Sequence, residues 1–248
     1  MSKFICSLLV TLACLGAAEA QPSANLDRRI EAVRFLTGSR QAVIKGKLVG
    51  RHYVDYQLSA GAGQTLRVSM KATSLMTYFN ILPPESVDAA MFTEGAGERA
   101  FDGMLPTDGV YTVRVYQMRA AARRNASSSY TLAIGVTGDS LLPIPAKIDA
   151  LIPGTRFHAQ ASIKCAPAYT QTKECTALVI RRGFDGTGTV EIRWDKAGKR
   201  RILFVKGEPK ASDDPQELSF LRDAEGDYVV RFNDDGKFEI PQALVFGG

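Results

Sequence analysis

The chain has 248 residues, with 31 lysines and arginines against 26 aspartates and glutamates, a formal net charge of +5 at pH 7. This mild excess favours acidic partners but argues against a nucleic-acid binder, which usually concentrates basic residues in a dense stripe. With two histidines and no G-x-S-x-G, H-E-x-x-H, phosphate-loop or C-x-x-C motif, the sequence gives no indication of an enzyme, and we expect neither a cofactor nor a metal.

Residues 1–20 have the features of an export signal. Lys3 precedes an apolar run from Phe4 to Gly16, and Ala18-Glu19-Ala20 fits a small-residue cleavage site. We therefore expect a periplasmic or secreted mature chain, cleaved near Ala20, whose residues 21–32 are polar and flexible.

A lipoprotein is the alternative at this terminus, with Cys14 as the acylated residue. Thr11-Leu12-Ala13 is, however, a poor match to the residues that usually precede a lipidated cysteine. No later apolar run approaches the roughly 18 residues that a membrane span requires.

Residues 33–137 predict an antiparallel β-sandwich. Short strand-like runs alternate with turn signals such as Gly50 and Pro83-Pro84, and there is little sign of a long amphipathic helix. We place the strands at residues 41–49, 53–59, 65–72, 78–82, 109–117 and 130–136.

Residues 138–153 carry Pro143, Pro145 and Pro153 and predict a linker that cannot continue a sheet. Residues 154–248 then predict a second, small antiparallel β domain, so the expected fold class is all-β. Its strands fall at residues 156–163, 177–182, 189–194, 200–205, 228–233 and 237–240. Trp194 alternates with apolar neighbours, which favours a place in the core.

Two cysteines, Cys165 and Cys175, remain after removal of the signal. An even pair in an oxidising compartment predicts a disulfide, worth roughly 2 to 3 kcal/mol for a short loop. The two histidines, His52 and His158, lie in different predicted domains and belong to no recognisable motif.

The stretch from Asp108 to Asn125 carries the clearest functional signal. A strand-like alternation over residues 109–117 runs into Arg119 and Arg123, which are separated by three alanines and would lie on one face of a helical turn. Arg124 points elsewhere on that turn. Like charges at this spacing repel each other, so they do not serve local stability. The plain interpretation is a solvated, basic hairpin loop.

Four segments together resemble the periplasmic inhibitors of g-type lysozyme. They are Gly63 to Ser69 (G-Q-T-L-R-V-S), D-G-V-Y from Asp108, the R-V-Y-Q-M-R run and the A-R-R-N run, and the resemblance covers about residues 33–136. It implies a secreted β-sandwich that blocks g-type lysozyme by pushing a loop into the active-site cleft. The segments from Cys165 to Gly183 and from Phe238 to Gly248 resemble a module of secreted proteobacterial proteins without a clear role.

The resemblance also implies the residues that contact the enzyme. The Q-x-R-x-x-x-R pattern falls on Gln117, Arg119 and Arg123, and a contact tyrosine of the family aligns near Arg51. Where family members commonly have S-G-x-Y, this chain has Asp108 in place of the serine. The expected partner-binding residues are therefore Asp108, Gly109, Tyr111, Gln117, Arg119, Arg123, Arg124, Arg51 and Tyr53.

Two other function classes stay open. A non-catalytic cell-envelope module could bind peptidoglycan or another acidic glycan through the same arginines, although a single tryptophan and 8% aromatic residues make stacking platforms scarce. An enzyme with an unrecognised site is the second.

Overall fold

The computed structural model describes residues 27–94, 99–195, 198–233 and 236–247. The predicted export signal with its cleavage site and the alternative lipidation site Cys14 lie outside these ranges. Strands dominate the described chain and its two helices are short, so the all-β fold class is confirmed. Within the described ranges, no helix is long and apolar enough to cross a membrane.

The first half of the chain forms a sandwich of two sheets. Its elements are β1 (Arg28–Ala32), β2 (Gln41–Val49), β3 (Tyr53–Ala60), β4 (Thr65–Ala72), β5 (Thr77–Leu82), β6 (Phe92–Thr93), β7 (Ala100–Met104), β8 (Gly109–Gln117), α1 (Arg119–Arg123) and β9 (Ser127–Thr137). Sheet A has the strand order β1-β3-β8-β5-β6, and sheet B has the order β2-β9-β4-β7.

Alternating side chains of the two sheets form the core between them. Leu66, Val68 and Met70 of β4 are buried while the residues between them face out, and β8 contributes Val113 and Val115 in the same way. This period of two is the pattern from which the strands were predicted.

The first strand, β1, corrects the expectation that the whole of residues 21–32 is flexible. It pairs parallel with β3, from Arg28 opposite Tyr53 to Ala32 opposite Gln57. Most of its side chains are exposed, so it is held by backbone hydrogen bonds and by an ion pair of Arg28 with the buried Asp55 at 2.8 Å. A strand that buries little apolar surface leaves no hydrophobic period in the sequence.

The connections from β2 to β3, from β4 to β5 and from β8 to β9 all cross from one sheet to the other at the same end of the sandwich. The expectation of a hairpin between β8 and β9 is therefore wrong, because β8 lies in sheet A and β9 in sheet B. We call residues 118–126, which carry α1, the arginine arch, and residues 50–52 the β2–β3 turn.

The second half of the chain forms a single curled, antiparallel sheet of eight strands. Its elements are β10 (Ala159–Ala166), β11 (Glu174–Arg181), β12 (Gly188–Trp194), β13 (Gly198–Val205), β14 (Glu208–Ser212), β15 (Leu218–Arg222), β16 (Tyr228–Phe232), β17 (Gly236–Ile240) and α2 (Gln242–Phe246). The order is β14-β13-β12-β11-β10-β17-β16-β15, and the curl brings the edge strands β14 and β15 near each other. Both edge strands are additional to the six predicted ones.

A second hydrophobic core fills the inside of this curled sheet. The predicted disulfide is confirmed: Cys165 of β10 and Cys175 of β11 are bonded with an S–S distance of 1.98 Å, and both are buried in this core.

The segment of residues 138–153 contains no helix or strand, and it is docked on both halves of the chain. Leu141 N donates to Ala62 O of the sandwich, and Ile144 N donates to Arg181 O of the curled sheet, each at 2.8 Å. His158 helps to fix it, because one ring nitrogen accepts from Arg181 N at 3.0 Å and the other lies 2.9 Å from Ile144 O. His158 therefore has a structural role.

The curled sheet also contacts the sandwich directly, at the end opposite the arginine arch. Arg182 donates to the Asp108 carboxylate at 2.7 Å, and Thr189 Oγ1 donates to Pro106 O at 2.8 Å. These contacts lie at the start of β8, whereas the arch follows its last residue. At about 3.3 Å per residue, the eight steps of β8 separate the two ends by roughly 26 Å.

A second contact at that end centres on Arg201, whose side chain is 1% exposed. Its guanidinium donates to Pro84 O at 2.9 Å, to Glu85 at 2.7 Å and to the buried Glu191 of its own sheet at 2.8 Å. Lys199 adds a 2.6 Å ion pair with Glu85. We call these contacts, together with those of Arg182 and Thr189, the inter-domain interface.

Candidate functional site: a groove lined by arginines

The arginine arch is a short helix with a defined beginning and end. Met118 N donates to Met76 O at 2.8 Å, which ties the start of the arch to the β4–β5 connection. Ala121 is the buried residue of α1, and Asn125 ends the turn with a φ of 53°, a left-handed conformation that asparagine tolerates well. The predicted helical turn over Arg119 and Arg123 is confirmed.

A groove of about 490 Å³ lies between the arch and the β2–β3 turn. Five of the predicted partner-binding residues line it together, and three further residues complete it. The predicted ones are Arg51, Tyr53, Gln117, Arg119 and Arg123, and the further ones are Arg114, Tyr116 and Ala122. We call this feature the arginine groove.

Gln117 holds the two walls of the groove together. Its side-chain Nε2 donates to Gly50 O at 3.3 Å and to Ala126 O at 2.8 Å, and Gly50 N itself donates to Ala126 O at 2.9 Å. Gly50 has a φ of 60°, a conformation that favours glycine, and an added Cβ would lie 2.3 Å from Asn125 Oδ1, so another residue here would have to displace the Asn125 side chain. The β2–β3 turn and the arginine arch are thus fixed to each other.

The floor of the groove is aromatic, and it also contains an arginine whose positive charge is compensated by an aspartate. Arg114 lies over the Tyr53 ring at 4.9 Å and forms a bidentate ion pair with Asp55, at 2.7 and 3.0 Å. The hydrogen bonds that Arg114 donates to Asp55 raise the pKa of Arg114 above its usual value, so its charge is permanent. Burial raises the pKa of Tyr116, which therefore stays neutral at the floor.

The walls differ from the floor in their electrostatics. Arg51, Arg119 and Arg123 are exposed, and none of them forms an ion pair or hydrogen bond through its side chain with another described residue. Asp55 is already shared by Arg114 and Arg28, so it does not compensate them. The groove therefore presents to a partner three guanidiniums that no described residue pairs. Planar guanidinium groups of this kind suit bidentate hydrogen bonds to carboxylates.

The other four predicted partner-binding residues do not line the groove. Arg124 is exposed at the end of α1 but is not among the residues that line the groove. Asp108, Gly109 and Tyr111 lie at the far end of β8, close to the inter-domain interface.

Each residue of the D-G-V-Y segment that we singled out has a structural role there. Asp108 accepts from Arg182 and, at 2.9 Å, from Ala62 N. Gly109 has a φ of 144°, and an added Cβ would lie 2.7 Å from the Pro84 ring. Tyr111 is fully buried and donates to Thr107 O at 2.8 Å, so the expectation that it contacts a partner is wrong.

Sequence reasoning missed Arg114 and Tyr116, although a signal for them was present. They are the outward members of the period-two alternation in β8, on the face that leads to Arg119. A basic and an aromatic residue on the exposed face of a strand that ends in a cationic turn could have been included in the site.

Comparison with known proteins agrees with the sequence resemblance, although no family model matches the chain. The inhibitor of g-type lysozyme of Escherichia coli K12 is 28% identical over 135 residues, which make up 54% of this chain and 97% of that protein. The structure of Aeromonas hydrophila PliG, a periplasmic inhibitor of g-type lysozyme, is 33% identical with a TM-score of 0.42, covering 44% of this chain and 97% of that one. Salmonella Typhimurium PliG is 26% identical with a TM-score of 0.36, covering 44% and 98%.

These relatives are matched along nearly their whole length, while about half of this chain lies outside the matches. The resemblance inferred from the D-G-V-Y, R-V-Y-Q-M-R and A-R-R-N segments is thereby confirmed. Over its N-terminal β-sandwich, the chain is thus similar to an inhibitor of g-type lysozyme along nearly the whole length of that protein.

Proposed function

We propose that this protein inhibits g-type lysozyme in the periplasm, and that the arginine groove is the surface that meets the enzyme. The observation that carries the proposal is the set of three guanidiniums around one groove, from Arg51, Arg119 and Arg123, that are unpaired within the described part of the chain. The sandwich that bears them is similar to a protein named as an inhibitor of this enzyme.

The chemistry of the lysozyme cleft explains why arginines are suited to bind it. A lysozyme cleft contains carboxylates that take part in sugar cleavage, in a narrow and partly desolvated groove of negative potential. The exposed arginines of the arch can enter such a cleft and donate paired hydrogen bonds to those carboxylates. Inhibition then requires occupancy of the cleft and no catalytic step by the inhibitor.

Rigidity of the site should raise the affinity. The hydrogen bonds of Gln117 to Gly50 and Ala126 fix the arch against the β2–β3 turn before any partner binds. A surface ordered in advance loses less conformational entropy on docking than a free loop does. The inhibitor should therefore bind without a large rearrangement of its own backbone.

A turbidity assay tests the proposal. Purified mature protein, added at increasing concentration to g-type lysozyme, should slow the clearing of a bacterial cell suspension in a dose-dependent way. A parallel pull-down on purified peptidoglycan, with and without g-type lysozyme, separates this function from a cell-envelope binding module. Unchanged clearing together with direct retention on peptidoglycan would favour the envelope module and reject the inhibitor.

The site of action is tested separately. We propose cleavage near Ala20 and release of the mature chain into the periplasm. Amino-terminal sequencing of the exported protein should begin near Gln21. Incorporation of labelled palmitate would show instead that Cys14 is acylated.

A further inference from the structure

The curled sheet has two ends that are closed in different ways. At one end α2 acts as a plug: Leu244 and Val245 are buried, and Phe246 packs on Gly186 and Gly207, where an added Cβ would lie within 2.8 Å of its ring. At the other end, where β12 leads into β13 and β16 into β17, a pocket of about 270 Å³ opens. The open mouths of curled or closed sheets are common sites for small ligands.

The floor and rim of this pocket are aromatic. Phe232 and Phe238 are buried beneath it, and Trp194 packs on Phe238 with ring centres 5.8 Å apart. Trp194 contacts the core, as its alternation predicts, yet it is only partly buried and lines the pocket. Tyr169 stands at the rim, on the loop that the disulfide closes, and is 96% exposed. Two accessible aromatic rings thus border one small opening.

The wall of the pocket is an ion pair. Arg200 pairs with Asp214, whose side chain is 9% exposed, and its guanidinium lies 5.5 Å from the centre of the Phe232 ring. Among the described residues that line the pocket these two are the charged ones, and their opposite charges offset each other. One side of the wall can donate hydrogen bonds, and the other side can accept them.

The ligand must match both properties. A charged ligand would be attracted by one member of the Arg200–Asp214 pair and repelled by the other. A purely apolar ligand would remove water from the pair without replacing the hydrogen bonds that the water makes. A neutral ring with an apolar face and an amide group fits, because the face stacks on an aromatic ring while the amide N–H meets a carboxylate and its C=O a guanidinium. The volume lies just below the roughly 300–1,000 Å³ of larger ligand sites, which suits one ring.

We propose that the open mouth of the curled sheet binds one N-acetylated sugar ring of a glycan chain. The site involves neither the arginine groove nor the inter-domain interface, so it does not depend on the proposed inhibitor function. It gives the half of the chain that lies outside the matches with the relatives a binding role of its own.

Calorimetric titration of the full mature protein with N,N′,N″-triacetylchitotriose tests the site. The wild type should bind, and Tyr169→Ala should weaken binding at least fivefold, with thermal unfolding measured alongside to show that the variant is folded. Phe184→Ala, which removes another exposed aromatic ring outside the pocket, is the matched control and should bind as the wild type does. Cellotriose, which lacks the acetamido groups, should bind several-fold more weakly.

Trp194→Ala should abolish binding, and Trp194→Phe should retain part of it. If Trp194→Ala fails to fold, Tyr169→Ala still decides the matter. Absence of binding by the wild type at millimolar trisaccharide would overturn the proposal. An equal affinity of Tyr169→Ala and wild type would do the same, as would equal binding of cellotriose.

Discussion

The two ends of the β-sandwich use the same chemical groups in opposite ways. At the arginine groove, Arg119 and Arg123 are exposed and have no acidic partner among the described residues. At the inter-domain interface, Arg182 and Arg201 are buried and each meets a carboxylate of the sandwich, Asp108 for the one and Glu85 for the other. The difference shows that pairing and burial, more than residue type, decide whether an arginine holds the protein together or stays available to a partner.

The energetics of the two ends should differ accordingly. Removal of one partner from a buried ion pair leaves an uncompensated charge in a poorly solvated place, which is strongly destabilising. Removal of an exposed, unpaired arginine changes the free energy of unfolding by at most about 0.5 kcal/mol. The following predictions test whether this division of roles holds.

The largest effect should come from Arg201→Ala. The change takes the one buried guanidinium away from the buried Glu191 and Asp213, which keep only the more exposed Arg156, Arg193 and Arg200 as partners. We expect the free energy of unfolding to fall by about 3–5 kcal/mol. Chemical denaturation followed by circular dichroism measures it. Arg231→Ala, which removes an exposed arginine of the same sheet, is the control and should have little effect. Similar losses in both variants would remove the distinction between paired and unpaired arginines.

Arg119→Ala combined with Arg123→Ala should show the opposite pattern. Stability should stay within about 0.5 kcal/mol of the wild type, while inhibition of g-type lysozyme should weaken at least tenfold, or about 1.4 kcal/mol. The matched control is Arg124→Ala, since Arg124 is exposed on the same turn but does not line the groove. If Arg124→Ala weakens inhibition as much as the double variant does, total charge matters and the groove does not.

Ionic strength should affect binding at the arginine groove but hardly affect stability at the inter-domain interface, and this effect should be smaller than those of the substitutions above. Raising ionic strength from about 0.1 M to about 1 M shortens the Debye length from about 10 Å to about 3 Å. Association with lysozyme, measured by stopped flow, should slow several-fold because exposed arginines steer the encounter. The difference in unfolding free energy between wild type and Arg201→Ala should change little over the same range. An on-rate that does not depend on salt would argue against steering.

The smallest effect should come from Glu85→Gln. A hydrogen bond from Lys199 lowers the pKa of Glu85 below its usual value, against the opposing influence of partial burial. Since the folded-state pKa lies below the unfolded one, charged Glu85 stabilises the fold above the unfolded pKa, and this contribution is lost as pH falls through the folded pKa. Urea denaturation at about pH 7 and about pH 3 should show the variant slightly less stable than the wild type at the higher pH and equal to it at the lower one. Glu217→Gln, at an exposed glutamate, is the control variant and should be as stable as the wild type at about pH 7.

The sequence was sufficient for the features that depend on local pattern. Alternation gave the strands that bury one face, the three alanines between Arg119 and Arg123 gave the helical turn, and the remaining cysteine pair gave the disulfide. Edge strands such as β1, β14 and β15 were not predicted from the sequence. They bury little apolar surface, and their backbone hydrogen bonds leave no period in the residue types.

Features that depend on distant parts of the chain could not be predicted. Nothing local tells that β8 and β9 belong to different sheets, or that Arg51 and Arg123 border one groove. Asp108 is the clearest case. The sequence shows that an aspartate replaces the family's serine, but its partner Arg182 is 74 residues away, so the reason for the replacement is visible only in the fold.

The crossing of the arginine arch and the β2–β3 turn between sheets has a mechanical consequence. Each connection joins a strand of sheet A to a strand of sheet B. The distance between the two sheets therefore sets the spacing of the guanidiniums that the connections carry. A bulkier or smaller side chain in the core between the two sheets would shift the ends of these connections. Such a change would alter the binding of a partner although the substituted residue does not contact that partner. Substitutions in the core of the sandwich can therefore change the affinity for a partner from a distance.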